Sequence, residues 1–394
     1  MTAMASPDRP VCLRETGRTV DRRVVGRRAH LGEGLTPASD VARYACPGQL
    51  PATASTISPL SFREWMHFTL RNVTADGAML RSVAGGVDLL AGLELAFTVT
   101  VPFTGTHEVH AVVESIRHES DDSVAVRVSW IDPPRTFLAD VAEYLMIAGT
   151  DLTPAQLRAG GLPLRTAERA VTFGSAMIPD DEQELLALRF WAHQHEGRLL
   201  EMTPADLASP FDAHAHHLVC RYGRRIVGYV RVIFVDGDPT RSQYVTWGGH
   251  QVPSWLWEAG FVESGAGAVD PDFQRAGLFL PLVQHAVRIT AQSGFGYVLG
   301  ACEDDLLDMY RSMGFEVLET REVEPKPGWQ FRSHLLYLDI DQLIRDRPRG
   351  KTRVAMASAA LFARSSARTA TIRSPHAATD ILSEGENVIH RTPD

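Results

Sequence analysis

The sequence predicts an α+β, two-domain protein: a small antiparallel β-barrel or sandwich, then an α/β domain with locally parallel strands. Two observations predict it. Between about residues 59 and 145, short runs of β-branched and alternating apolar residues are broken by turn residues at close intervals, the pattern of antiparallel strands. After about residue 170, strand-like runs alternate with helix-length amphipathic segments, which implies parallel pairing under a layer of helices. A chain of 394 residues has room for both domains and for tails.

The elements follow in order. Residues 1–57 mix Arg, Gly, Pro and Ser without periodicity and read as a disordered tail, marked by the cluster Arg22, Arg23, Arg27 and Arg28. The first domain, 58–148, carries strands at 68–73, 93–101, 108–117 and 124–131, closed by a helix at 138–147. Residues 149–168 read as a linker with one turn of helix. The second domain, 169–346, opens with a strand at 170–176 and an amphipathic helix at 180–196. That helix has acidic residues in its first turn, where the helix dipole favours them. Strands at 217–222, 225–234 and 260–269 follow, then a helix at 277–293, a strand at 297–301 and a short helix at 305–313. Residues 347–394 are rich in Ser, Thr, Ala and Arg and read as a second disordered tail. Only 354–363 has helical character there, with little to pack against.

Bulk composition excludes several functions. Hydrophobic content of 44% with 22% charged residues is that of a water-soluble globular chain, and a net charge of −9 argues against DNA as the partner. The four cysteines, Cys12, Cys46, Cys220 and Cys302, show no paired spacing, so neither a disulfide framework nor a zinc site is expected. No run is long and apolar enough for a signal peptide or a transmembrane segment, and a cytoplasmic location is expected.

The chemistry-bearing segment is Val269-Asp270-Pro271-Asp272-Phe273-Gln274-Arg275-Ala276-Gly277. There a strand ends, a glycine turn follows and a helix begins. Backbone N–H groups at such a helix start bind phosphate, Gly277 permits close approach, and Arg275 adds positive charge. Downstream come an apolar strand at 297–301 and Tyr310-Arg311-Ser312-Met313-Gly314-Phe315. Together these segments resemble the two central motifs of the GNAT superfamily of acyltransferases. The resemblance implies an α/β domain with a central mixed sheet and a donor loop of Gln274, Arg275, Ala276 and Gly277. It further implies a thioester lying between splayed strands, with Tyr310 protonating the departing thiolate. It implies no permanently bound cofactor and an acyl carrier protein or acyl-CoA thioester as co-substrate. The chain departs from the pattern at Phe279, where the family has a small residue two positions after the glycine. A ring there crowds a CoA pyrophosphate and favours a donor carried on acyl carrier protein.

Upstream segments, Arg189-Phe190-Trp191, Phe211-Asp212 through Val219, Arg225 to Arg231 and Val262-Glu263-Ser264, are similar to the branch of N-acyl amino acid synthases and autoinducer synthases. Those enzymes place a fatty acyl group on an amine. Aminolysis needs a neutral amine, a polarised carbonyl and a proton for the leaving sulfur. Glu263 is the candidate to accept the amine proton, directly or through water, and a backbone N–H near Gly267 or Ala268 is the candidate donor to the carbonyl, with Gly265 and Gly267 easing a bulge. Arg189, Arg231 and Asp212 are the candidate acceptor-binding residues, because an arginine pairs bidentately with an acceptor's carboxylate. His214, His216 and His217 lack a second ligand cluster, so no metal is expected.

In the first domain, Asn72-Val73-Thr74-Ala75-Asp76-Gly77 resembles the N-x-S-x-x-G signature of PilZ domains, small antiparallel β-barrels that often bind cyclic di-GMP. The resemblance implies a PilZ-like β-barrel with Asn72, Thr74 and Gly77 at a nucleotide site. Its arginine arm has the spacing of Arg23 and Arg27, although these lie well ahead of the barrel. The expected activity is transfer of an acyl group from a thioester to a small amine such as an amino acid, under control of the PilZ-like domain. A generic acetyl-CoA-dependent N-acetyltransferase is also compatible, as is a catalytically silent domain in a cyclic di-GMP-responsive protein.

Overall fold

The computed structural model describes residues 43–82, 87–119, 123–195, 202–326, 329–346 and 348–373. The barrel holds β1 (Tyr44–Ala45), β2 (Thr53–Ile57), β3 (Trp65–Val73), β4 (Gly77–Ser82), β5 (Glu94–Val101), β6 (Gly105–His118) and β7 (Val124–Ile131). Strand order is β1-β3-β2-β5-β6-β7-β4, and β4 pairs again with β3, so the sheet closes on itself with every pair antiparallel. Period-two alternation sends Phe97, Val99 and Val101 of β5 inward, with Val109, Ala111 and Val113 of β6 and Val124, Val126 and Val128 of β7. Helix α1 (Arg135–Ile147) plugs the barrel end: Phe137 meets Trp130 edge-on at 5.4 Å, and Tyr144 and Leu145 are buried behind it. Truncating a wholly buried ring such as Phe97 to alanine costs roughly 3–5 kcal/mol.

The barrel therefore begins earlier than the sequence suggests. β1 and β2 fall inside the stretch expected to be a disordered tail, because Tyr44, Ala52 and Ala54 are buried in the barrel core. The linker is also packed: α2 (Pro154–Ala159), capped by Thr153 in a reciprocal box with Gln156, buries Leu157. Leu157, Leu162, Leu164 and Ala167 join the barrel core to Phe273, Ala276, Leu278 and Leu282 of the second domain, so one apolar core runs through both.

The second domain is a seven-stranded mixed sheet in the order β13-β14-β12-β11-β10-β9-β8. It begins with β8 (Thr172–Ser175), α3 (Glu182–His195), β9 (His216–Tyr222) and β10 (Arg225–Val235). The short helices α4 (Gln243–Thr246) and α5 (Ser254–Ala259) then lead to β11 (Phe261–Val269) and α6 (Phe279–Gln292). Next come β12 (Tyr297–Cys302), α7 (Leu307–Met313), β13 (Glu316–Lys326) and β14 (Trp329–Asp339). The chain continues as α8 (Ile340–Arg345) and α9 (Lys351–Arg373). Among the described strands only β11 and β12 pair in parallel, joined by the crossover helix α6. Leu185 and Leu188 of α3 pack on Val219 and Tyr229, whereas Ala286 of α6 packs on Leu218 and Val230. Neighbouring strand residues point to opposite faces, so the two helices cover opposite sides of the sheet.

The C-terminal segment differs from expectation. Residues 351–373 form α9, whose Met356, Ala357, Ala360 and Ala363 are buried against Val283, Val287 and Ala291 of α6. Alanines at the contact let the two helices approach closely, so a modest apolar stripe suffices to fix the helix. No helix among the described residues is long and apolar enough to cross a membrane.

Candidate functional site

The site is built on a break in strand pairing. β11 and β12 are paired at Val262–Val298, Glu263–Leu299 and Ser264–Gly300, after which the paired register ends. Both strands continue, to Val269 and Cys302, and a cavity of about 740 Å³ opens there. On its other edge β11 bulges against β10: Arg231 faces Gly265 and Tyr229 faces Ala268, so Ala266 and Gly267 together oppose Val230 alone. Ala266 adopts a φ of 52°, the left-handed region that a bulge forces on the chain. Gly265 and Gly267 flank it, in line with their expected role, and both line the cavity with Ser264 and Ala268.

The loop expected to hold the donor forms part of the wall of this cavity. Gln274, Arg275 and Gly277 line it, and Ala276 is buried beneath. Arg275 (φ 59°) and Gly277 (φ 74°) both take left-handed backbone, which turns the chain into α6. A side chain at Gly277 would also press Thr166, whose Oγ1 lies 3.1 Å from the Cβ position. α6 starts with no side-chain cap and no acidic residue in its first turn, which leaves its N-terminal dipole open to an anion. The linker pins the loop from behind: Arg158 Nη2 donates to the Gln274 carbonyl at 3.0 Å, and Ala167 N–H to that of Ala276 at 2.8 Å.

Tyr310 stands across the gap on α7. Its ring meets Phe279 edge-on at 5.9 Å and Phe315 at 5.3 Å, and Phe279 in turn lies against Gly267. The Tyr310 hydroxyl makes no hydrogen bond to protein among the described residues, and burial raises its pKa, so it stays protonated and free to donate. The acid role expected of this residue is thus compatible with its ring packing against Phe279 and Phe315.

The expected acceptor residues converge on one another. Arg189 Nη1 reaches Asp212 Oδ2 at 3.2 Å and Arg231 Nη1 reaches Asp212 Oδ1 at 2.5 Å. Burial pushes the Asp212 carboxyl up, but the two guanidinium groups and the Ser209 N–H outweigh it and hold the group below the usual carboxylate range. The two guanidinium groups share this one carboxylate, and Arg231 also feels the buried Glu263. Arg231 is 1% exposed, gives its second Nη to the Gln243 amide oxygen, and leaves its Nε–H without a hydrogen-bond partner. His217 is spent structurally, between Tyr229 Oη at 2.9 Å and the Asp212 carbonyl at 3.0 Å. Arg189 and Arg231 line the cavity; Asp212 stands behind them.

Glu263 is not brought to the site. It is wholly buried and is not among the residues lining the cavity. Its carboxylate accepts from Ser242 Oγ and, at 3.0 Å, from Gln243 N–H. Glu263 shares its strand face with Gly265, which lines the cavity, but Ser242 and Gln243 enclose its carboxylate, so the proton-acceptor role read from its sequence position has no direct contact with the cavity here. Burial pushes its pKa up to about 7. Sequence reasoning misses α4 with the loop after it, which puts Gln243, Tyr244, Trp247 and His250 on the cavity wall. No motif marks that stretch; its residues acquire meaning only from strands far along the chain.

On the barrel, Thr74 and Gly77 close the β3–β4 hairpin. Thr74 N–H and Oγ1 both donate to the Gly77 carbonyl, at 2.8 and 3.2 Å, and Thr74 Oγ1 accepts from Asp76 N–H. A Cβ at Gly77 would fall 2.2 Å from the Val128 carbonyl oxygen, so strand packing alone requires glycine. Asn72 pairs with Ala45 and Met79 across β1 and β4. Arg23 and Arg27 lie outside the described residues. Among the described residues no group of three or more His, Cys, Asp or Glu side chains is placed to hold a metal ion.

No protein-family model and no curated protein sequence matches the chain. Solved structures do. FeeM, an N-acyl amino acid synthase from uncultured soil microbes, is 14% identical over 44% of this chain and 92% of its own, with a TM-score of 0.35. A GNAT-superfamily phosphinothricin acetyltransferase from Sinorhizobium meliloti, solved with acetyl-CoA, is 13% identical over 43% of this chain and 88% of its own, TM-score 0.31. The PilZ domain of YcgR from Escherichia coli, solved with cyclic di-GMP, is 16% identical over 24% of this chain and 79% of its own, TM-score 0.22.

Proposed function

We propose that the second domain transfers an acyl group from a thioester donor to the amine of a small, carboxylate-bearing acceptor such as an amino acid. One observation carries the reading. A single cavity joins an uncapped helix start, an unpartnered Tyr310 hydroxyl and a pair of arginines that share one carboxylate. In this reading the phosphate of a phosphopantetheine arm lies at Gln274–Gly277 and the α6 N-terminus. The thioester sits in the gap beyond Ser264 and Gly300, its carbonyl oxygen facing a backbone N–H of the Gly265–Ala268 bulge. The acceptor's carboxylate pairs with Arg189 and Arg231, which brings its amine toward the gap. Attack forms the C–N bond, and the C–S bond breaks with Tyr310 protonating the sulfur.

Phe279 at the mouth of the donor site supports a donor presented by acyl carrier protein over CoA. The barrel is read as a regulatory module, because its hairpin and the linker touch: a Cβ at Gly161 would lie 2.9 Å from the Ala75 Cβ, and the same linker holds the donor loop. Cyclic di-GMP is the ligand that its signature residues suggest.

The test is amine-dependent thiol release by the purified chain with acyl carrier protein and CoA thioesters. Wild type is expected to release thiol with an amino acid present, and Tyr310→Phe to be slower by roughly 10²–10⁴-fold. No release with either donor, or an unchanged rate in Tyr310→Phe, overturns the reading.

A further inference from the structure

With the Glu263 carboxylate enclosed by Ser242 and the Gln243 N–H and absent from the cavity wall, a second group is needed to take the proton that an amino acid's ammonium must lose before attack. The cavity wall holds an arrangement suited to it. Glu319 Oε2, on β13, accepts from His250 Nδ1 at 2.9 Å and from Gln251 N–H at 2.9 Å. On the far side of the imidazole, His250 Nε2 lies 3.1 Å from Ser333 Oγ of β14. His250 and Ser333 both line the cavity and are each 3% exposed, while Glu319 stands behind them.

The hydrogen-bond polarity of this chain is fixed by its outer member. Burial pushes Glu319 up, but the Gln251 N–H, His250 and Arg321 together hold it below its ordinary range, so it is an ionised, acceptor-only group. Nδ1 of His250 must then carry the proton, and Nε2 is left with the lone pair, accepting from the Ser333 hydroxyl. Burial, opposed by Glu319, lowers the His250 pKa, so the ring is neutral at about pH 7, where amino acids are still ammonium ions. Its charged neighbours among the described residues are both on β13: Glu319, and Arg321, whose guanidinium donates to the Gly249 carbonyl and closes the loop over the ring. Ser333 faces from β14, and the Tyr244 carbonyl holds the His250 N–H at 3.0 Å.

We propose that His250, oriented by Glu319, is the general base of the transfer and receives the acceptor's ammonium proton directly or through the Ser333 hydroxyl. In the relayed form Ser333 passes its own proton to Nε2 and takes one from the ammonium, ending unchanged. The neutral amine then attacks the thioester carbonyl. Of its two remaining protons one stays on the amide and one replaces the proton that Tyr310 gives the sulfur, while the proton on His250 leaves to solvent. The inference rests on the acyltransferase reading above. It places the base and Tyr310 on the wall of one cavity.

The experiment is a pH profile of kcat/KM for the full chain, with an acyl carrier protein thioester and an amino acid acceptor. It is paired with long-range proton–nitrogen spectra of histidine-labelled wild type. Expected are an acid limb in wild type, its loss with a roughly 10²–10⁴-fold slower His250→Gln, and a limb displaced to lower pH in Glu319→Gln. The His250 ring is expected as the Nδ1–H tautomer. A wild type that turns over while His250→Gln keeps its rate and acid limb overturns the base role and leaves the acyltransferase reading standing. A wild type inactive with every donor overturns both. An Nε2–H tautomer in wild type overturns the base role even if the substituted chains fail to fold.

Discussion

Arg158, on the helix of the linker, donates from Nη2 to the backbone carbonyl of Gln274 at 3.0 Å, so a residue packed beneath the barrel fixes the first residue of the donor loop. A charge-assisted hydrogen bond of this kind contributes roughly 1.5–3 kcal/mol when it is part-buried. If the bond orders the loop for the donor, Arg158→Ala raises the donor KM by about tenfold, equivalent to about 1.4 kcal/mol, with kcat nearly kept. Gly161→Ala should act the same way, since its φ of 79° and the nearby Ala75 methyl both oppose a side chain. Saturating cyclic di-GMP is expected to shift the donor KM of wild type and to leave Arg158→Ala unmoved. Steady-state kinetics with matched donors decide it; an unaltered KM in both variants removes the linker from control of the loop.

Asp212 stands between two arginines, one of them almost wholly buried. Asp212→Asn keeps the shape and removes the charge, which strands Arg231 in the interior at a cost of roughly 3–5 kcal/mol. The folded pKa is depressed, so the stabilisation is fully present above the unfolded value and disappears as pH falls through the lower folded one. Urea denaturation at pH 7 is expected to show the full deficit, and at pH 3 a smaller one. Equal deficits at both pH values would mean that the charge is not what stabilises the cluster.

Much of this site is legible in the amino-acid sequence, and the part that is not has a physical reason. Gln274 to Gly277 and Tyr310 are readable because a glycine turn before an amphipathic helix is a local signal, and so is the bulge implied by Gly265 and Gly267. Arg189, Asp212 and Arg231 stand out as charged residues in a pattern, although nothing local says that they meet. His250 carries no such signal: its carboxylate lies 69 residues on and its hydroxyl 83, on strands that the hydrophobic pattern does not mark. β13 reads E-V-L-E-T-R-E-V-E-P-K, too polar to resemble a buried strand because it is the edge of the sheet. α9 has the composition of a tail because alanines carry little hydrophobic signal, yet they suit a close helix contact. Glu263 meets the same limit: sequence marks a strand carboxylate, but not that Ser242 and Gln243 of a separate segment enclose it.

Glu263 makes a separate prediction about stability. Burial raises its folded pKa to about 7, above the value of 4.5 it has in water. In that window the folded chain holds more protons than the unfolded one, so this group's contribution to stability falls as pH rises from about 4.5 to 7 and stays low above it. Glu263→Gln removes the titration. The stability difference between Glu263→Gln and wild type, measured by denaturant unfolding, should therefore move in favour of the substituted chain between pH 5 and 8. A difference flat across that range contradicts a carboxyl buried as this one is.

Phe279 is the position where the donor end can be re-specified. Its ring packs edge-on to Tyr310, and the Cβ position at Gly267 lies only 3.1 Å from Phe279 Cε2, so ring and strand bulge fit closely. The ring lies in the first turn of α6, beside the N–H groups read as the phosphate site. A bulky group there narrows the approach for the adenosine pyrophosphate of CoA but not for a phosphopantetheine arm that ends in a serine of a carrier protein. Removing the ring should relax that discrimination while leaving Tyr310 in place on Phe315. Phe279→Ala is accordingly expected to raise kcat/KM for an acyl-CoA relative to the same acyl group on carrier protein by about tenfold, the size of effect that one pocket contact gives. The measurement is the ratio of the two specificity constants, which cancels any general loss from the half-buried ring. A ratio unchanged from wild type would mean that donor choice is made elsewhere, on the surface a carrier protein touches before its arm enters the cavity.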